Sequence, residues 1–149
     1  MFQVKFKTIW ADFDPNRHMR HSAYSDYAAE VRARFFQKHN LSLDDFAHLN
    51  IGPILFEEHT RFIKEIIMGT DITIDMMLSA ASKHFERWEF THHVYNEQGT
   101  LSAVVKVKGA WMDLKKRKLT VLPPDILEIL KRLPKSEDFE TIILKNRTS

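Results

Sequence analysis

Apolar and polar residues alternate in short runs along most of this chain, and one long stretch near the start breaks into helical spacing. Val4, Phe6, Thr8 and Trp10 alternate with Gln3, Lys5, Lys7 and Ile9, which predicts a strand, because successive strand side chains face opposite ways. Tyr24, Tyr27, Ala28, Val31 and Phe35 then recur every three or four positions and predict a helix with one apolar face, running to about His39. Ser22 is the expected N-cap of that helix, and Glu30 and Arg34 sit four apart on its wet side in the favourable order. Asn40 marks a stop, and residues 41–49 predict a short second helix capped by Ser42.

The remaining pattern is mostly β. Residues 53–66 are rich in Ile, Leu, Phe and Thr, and Met68-Gly69-Thr70-Asp71 reads as a turn. Ile72, Ile74, Met76 and Leu78 alternate with Thr73, Asp75, Met77 and Ser79. Trp88, Phe90, His92 and Val94 alternate likewise up to Asn96-Glu97-Gln98-Gly99, a hairpin signal, and residues 101–111 continue as a long strand. The basic run Lys115-Lys116-Arg117-Lys118 falls between two strands and reads as a solvated turn. Pro123-Pro124 opens a short helix over residues 125–133, Pro being suited to a first helical turn, and Pro134 closes it. The organisation predicted is one α+β domain over residues 1–134 with a charged tail at 135–149. Hairpin-spaced strands make an antiparallel sheet, and only one helix is long enough to cover it. Small residues at Ala28, Ala29 and Ala33 would let that helix sit close. The economical architecture is a curved antiparallel sheet wrapped around a central helix, with edges left for self-association.

Composition narrows the chemistry. The 149 residues suit one core, and four glycines without any biased run argue for a folded chain. A net charge of +2 makes no general electrostatic case for nucleic acid. With no cysteine, disulfides, a thiol nucleophile and thiolate metal sites are excluded. No apolar run reaches the roughly 20 residues of a membrane span, and the N-terminus lacks the pattern of a signal peptide, so a cytoplasmic protein is expected. Gly-x-Ser-x-Gly, phosphate-loop, dinucleotide-glycine and His-Glu-x-x-His patterns are all missing from the sequence.

The chemistry-bearing segment is Asp12-Phe13-Asp14-Pro15-Asn16-Arg17-His18-Met19-Arg20-His21, where the first strand gives way to the long helix. Asp14-Pro15-Asn16 is also a good turn in its own right, since Asp and Asn bond their own backbone. Asp12 suits a structural carboxylate accepting from loop N–H groups. His18 and His21 have metal-ligand spacing, but no second ligand cluster accompanies them, so no metal and no cofactor is expected. His92 and His93 fall on opposite strand faces and cannot share a site. Lys106 and Lys108 share one face and are weak candidates for phosphate contacts. Met76, Met77, Phe85, Trp88 and Phe90 read as core.

These residues in this order resemble the hotdog-fold thioesterases of the 4-hydroxybenzoyl-CoA and acyl-ACP thioesterase group. Asp12-Phe13-Asp14 with Tyr24 ten residues on matches the group's opening motif, and Asp14 falls on its catalytic Asp. His21 falls on a His that many members carry just before the helix. Asp14-Pro15-Asn16-Arg17-His18-Met19 is similar to the Asp-x-Asn-x-His-Val signature of the acyl-ACP branch. Residues 62–71 resemble the second strand with its Gly-Asp turn, and residues 111–125 the closing hairpin. Where many bacterial members have Gly after the Asp, this chain has Asn16-Arg17. The resemblance implies a thioesterase acting on an acyl-CoA or acyl-ACP, at least a homodimer and in some members a dimer of dimers. It implies Asp14 as base or nucleophile, with Asn16, His18 and His21 orienting water or the carbonyl, and Tyr24 and Ser22 contacting substrate. Glu58 on the predicted second strand is a reserve carboxylate, its plain reading being a solvated position or an ion pair with Arg61. The alternatives on the same fold are a non-catalytic acyl-thioester-binding protein and an enoyl-thioester hydratase or dehydratase.

Overall fold

The computed structural model describes residues 1–145. Its elements run β1 (Gln3–Phe6), a 3-10 turn (Trp10–Asp12), α1 (His21–Lys38), α2 (Leu43–His48), β2 (Ile51–Phe62), β3 (Ile72–Asp75), β4 (Met77–Ser82), β5 (Arg87–Tyr95), β6 (Leu101–Asp113), β7 (Lys118–Leu119), α3 (Pro124–Leu130) and β8 (Lys135–Ile142). β6 lies between β2 and β5, and β5 pairs on its other side with β3 and β4. β1 extends the sheet beyond β3, and β8 beyond β4. All pairings are antiparallel except β4 with β8.

The long helix packs its predicted face inward. Tyr24, Ala28, Val31 and Phe35 are buried together with Ala23, while Tyr27 is only partly covered. Ala28 makes the close approach; Ala29 faces solvent, contrary to the expectation that it would help seat the helix. The core behind α1 is an aromatic run. Phe46 stacks on Trp111 with centroids 5.6 Å apart, Trp111 meets Trp88 at 5.9 Å, and Trp88 stacks on Phe90 at 4.5 Å. Aromatic rings bury large apolar area in few rotamers, so such a run stiffens the sheet as well as stabilising it. Met76, Phe85, Trp88 and Phe90 are core, as expected, whereas Met77 faces the opposite side of the sheet. This is the hotdog fold: a curled antiparallel sheet around one central helix.

Three local expectations are corrected. The helix is entered at Arg20 rather than Ser22; no side chain caps it, and the Ser22 hydroxyl instead pairs with the Arg20 guanidinium. The alternation across residues 72–79 is divided at Met76, whose N–H donates to the Phe2 carbonyl at 3.2 Å while β3 and β4 continue on either side. The segment expected as a charged tail supplies β8, whose register with β4 jumps from Leu78/Lys135 to Ala80/Glu140. Residues 136–139 arch away at that jump, and Asp138 reaches Lys106 on β6 at 2.9 Å. The last part of the expected tail, residues 146–149, lies outside the described residues. The second helix is capped by Ser42 as expected, in a full capping box with Asp45. The 96–99 turn forms as expected, the Asn96 side chain accepting from the Gln98 and Thr100 amides and Gly99 taking φ +80°.

Candidate active site

The segment between β1 and α1 folds into a small hairpin of its own. The Asp14 carbonyl accepts the Arg17 N–H at 2.9 Å, with Pro15 at the turn position its fixed φ favours. Arg17 takes φ +65°, a left-handed conformation uncommon outside glycine. The Asp14 carboxylate accepts from the Asn16 and His18 amides through Oδ1, at 2.9 and 3.1 Å. Phe13 then bridges to Met19. The hairpin is strapped to the chain after β2: Met19 donates to the Ile66 carbonyl at 2.9 Å, and Met68 to the Arg17 carbonyl at 3.0 Å. A short polar loop is thereby held by backbone bonds on both sides.

Asp12 has the structural role expected. It is buried, accepts the Ile9 amide at 2.9 Å and the Tyr27 hydroxyl, and so ties the 3-10 turn to α1. Burial, then the hydrogen bond to Asp12, pushes the Tyr27 hydroxyl pKa far up. Tyr24 is buried one turn into the helix against Phe62, with centroids 5.1 Å apart. Burial, with Glu65 nearby, pushes its hydroxyl up to about 12, so it is a neutral donor near pH 7.

Asp14 and His18 belong to one loop and are joined through the His18 amide. His18 also pairs through Nε2 with Glu65 at 3.0 Å. Glu65 carried no signal in the sequence, because the contact crosses 47 positions and depends on the loop docking beside residues 66–68. His21 and Ser22 are exposed at the start of α1, and Asn16 contributes its amide. Glu58 is not gathered to this loop. It is a solvent-exposed strand position, the first of its two plain readings, and accepts from Ser25 on α1 with Arg32 nearby; no ion pair with Arg61 forms among the described residues. Among the described residues, no three His, Asp or Glu side chains converge as metal ligands.

Beside Asp14 lies an open depression of about 640 Å³, walled by Trp10, Phe13, Arg17, Ile67 and Met68. A second groove, of about 770 Å³, crosses the outer face of the sheet between His93, Lys106 and the 136–138 arch. Of its charged groups, Lys106 is engaged with Asp138 and Glu89, and His93 with the buried Asp75 at 2.9 Å. Lys108 is likewise taken up by Glu57 and Glu89, so neither lysine is a free phosphate contact.

His92 and His93 face opposite sides of β5, as expected. His92 is fully buried, with Nδ1 2.7 Å from the Asp75 carbonyl and Nε2 3.1 Å from the Arg32 guanidinium. Burial, then the Arg32 charge, lowers its pKa from 6.5 to about 3. The folded protein thus holds it neutral, while the unfolded chain takes up a proton below about pH 6.5. Stability therefore falls as pH drops from 6.5 toward 3. His93 acts in the opposite direction, since its bond to Asp75 raises its pKa: its stabilisation is complete below 6.5 and is lost as pH rises through that raised value. Urea midpoints measured against pH should show the acid-side loss, and His92→Asn should flatten it.

Residues 9–130 match the family described as the thioesterase-like superfamily. No curated protein matches the sequence. Among solved structures, a Staphylococcus aureus protein determined in complex with CoA is 22% identical, covers 97% of this chain and 89% of its own, and superposes with a TM-score of 0.77. A 1,4-dihydroxy-2-naphthoyl-CoA thioesterase from Synechocystis is 18% identical, covering 89% of this chain and 96% of its own, with a TM-score of 0.79. A DHNA-CoA thioesterase from Staphylococcus aureus is 16% identical, covering 87% and 88%, with a TM-score of 0.78. At these identities the neighbours speak for the fold.

Proposed function

We propose that this chain, which belongs to the thioesterase-like superfamily, hydrolyses an acyl-CoA thioester at the Asp14 loop. The observation that carries the reading is a carboxylate fixed by two backbone amides beside an open depression, at the entry to a helix. Asp14 Oδ1 is held by the loop, and Oδ2 has no protein partner among the described residues. That oxygen takes the proton of a water attacking the thioester carbon, or attacks the carbon itself, breaking the C–S bond and expelling the thiolate, to give a mixed anhydride that water then opens. Both routes develop negative charge on the carbonyl oxygen. The first amides of α1, those of His21 and Ser22, have no acceptor within the helix and supply donors where the helix dipole also favours an anion. The His18–Glu65 pair flanks the loop and orients water or the leaving thiol.

CoA is preferred over acyl carrier protein as the carrier because a structural neighbour was determined with CoA. The discriminating measurement follows thiol release and enoyl absorbance together. Hydrolysis frees thiol; a hydratase consumes the enoyl chromophore without thiol; a non-catalytic binding protein shows neither.

The working unit in this proposal is a homodimer, with assembly of dimers a further step. Among the described residues β2 pairs with β6 on one side only, so its other edge presents a row of unpaired backbone groups. Leu55, Phe56, Phe62 and Ile63 along or just beyond it are about half exposed. Size-exclusion with light scattering should return a dimer mass, and the pair Leu55→Asp with Phe56→Asp should shift it to the monomer.

A further inference from the structure

Arg17 is the residue of the candidate site that the hydrolytic reading leaves unused. It occupies φ +65°, at a step of the loop where glycine would be relaxed. Non-glycine residues held in that region carry strain and concentrate at ligand sites. Its side chain helps wall the depression beside Asp14, whose other walls are Trp10, Phe13, Ile67 and Met68. It makes no ion pair and no side-chain hydrogen bond among the described residues, in contrast to Arg20, Arg32 and Arg34; Arg61 and Arg117 are likewise unpaired there, but neither borders the depression beside Asp14. Arg17 is thus an exposed guanidinium without a protein partner among the described residues, at the rim of an open depression with mostly apolar walls, on a backbone that costs free energy. A guanidinium presents paired donors matched to a carboxylate, in a planar geometry that a single ammonium lacks.

Resting on the thioesterase reading, we infer that Arg17 selects acyl groups bearing a carboxylate, so that the preferred substrates are half-thioesters of short dicarboxylic acids. Distance places the anion on the acyl side. Asp14 and Arg17 close one turn through a 2.9 Å hydrogen bond, so their Cα atoms lie within about 7 Å. With the Arg17 side chain extending from that nearby Cα, an anion it holds while the thioester carbon meets Asp14 falls within the reach of a short acyl chain. The carrier phosphates lie the whole pantetheine arm away. The exposed Trp10 ring offers a flat wall for the intervening methylenes.

The test compares glutaryl-CoA with pentanoyl-CoA, equal in chain length and different in the terminal carboxylate. Wild-type kcat/KM should favour glutaryl-CoA by at least about tenfold, the scale of one charge-assisted contact. Arg17→Gln should bring that ratio close to one. The same preference should persist with N-acetylcysteamine thioesters, which carry no phosphate. Separately, free glutarate should perturb the tryptophan fluorescence of wild type saturably, and that of Arg17→Gln far less. Arg17→Gly, which relaxes the backbone, should lose the preference while its melting temperature holds or rises by about 2–4 °C. A wild-type ratio near one, or a ratio unchanged in Arg17→Gln, overturns the inference and leaves hydrolysis standing. A preference that disappears with N-acetylcysteamine thioesters moves the anion to the carrier and overturns it too. Glutarate binding without thiol release from these esters or from long-chain and aromatic acyl-CoAs would instead sink the hydrolytic reading and keep the carboxylate site.

Discussion

Gly109→Val is expected to leave no stable folded protein, and Gly109→Ala to cost about 3 kcal/mol, at the upper end of ordinary overpacking. Gly109 is on β6, the strand flanked by β2 and β5, where it pairs with Leu55 on one side and Trp88 on the other. A Cβ at this position would lie 2.2 Å from the Ile54 carbonyl oxygen and 2.5 Å from Trp88 Cη2. The carbonyl is backbone, and the indole is packed between Phe90 and Trp111, so neither contact can be relieved by one side chain turning. For a chain of this size the alanine loss corresponds to a fall of roughly 6–12 °C in melting temperature. Gly99→Ala is the informative comparison. It also places a side chain at a glycine, at φ +80° but with nothing within 4 Å of the new Cβ, so only backbone strain of about 1–2 kcal/mol is expected. Thermal melts of the two alanine variants separate close packing from strain.

Asp14→Asn should lower kcat by about 10²- to 10⁴-fold, the range for a positioned acid–base group, while the melting curve stays near wild type. Structure should survive because asparagine keeps an Oδ1 that accepts the Asn16 and His18 amides, which is the whole of the carboxylate's bonding in the loop. What disappears is the proton-accepting or nucleophilic oxygen. Retained activity in a folded Asp14→Asn would remove Asp14 from the mechanism. The contrast with Asp12 is instructive: two carboxylates two positions apart differ because one is buried with the Tyr27 hydroxyl and the other borders the depression.

Much of this fold can be read along the chain because its pieces are locally consistent. The Trp88–Val94 alternation, the Asn96–Gly99 turn and the helical spacing from Tyr24 to Phe35 each specify their element and its buried face. Failures occur where a distant partner decides. The break at Met76 leaves the alternation intact and comes with an amide reaching Phe2. β8 has few apolar residues and becomes a strand because the edge of β4 is available to it. Ser22 has the chemistry of a cap, but the Arg20 amide is drawn to the Asp12 carbonyl at 2.8 Å and sets the helix start two residues earlier. In the candidate site, Asp14 and His18 are local and legible. Glu65 joins them only across the docked loop, and the left-handed conformation of Arg17 follows from loop closure, with no trace in residue type.

Cleavage of an acyl thioester by addition of water is read most directly by incubating the wild-type protein in ¹⁸O-enriched water with short, long, dicarboxylic and aromatic acyl-CoAs and quantifying thiol and free acid together. Equimolar thiol and acid are expected from at least one of these, with solvent oxygen in the carboxylate and the turnover lost in Asp14→Asn. A folded protein that releases no thiol from any of them, or releases as much after Asp14→Asn as before, would contradict hydrolysis at Asp14.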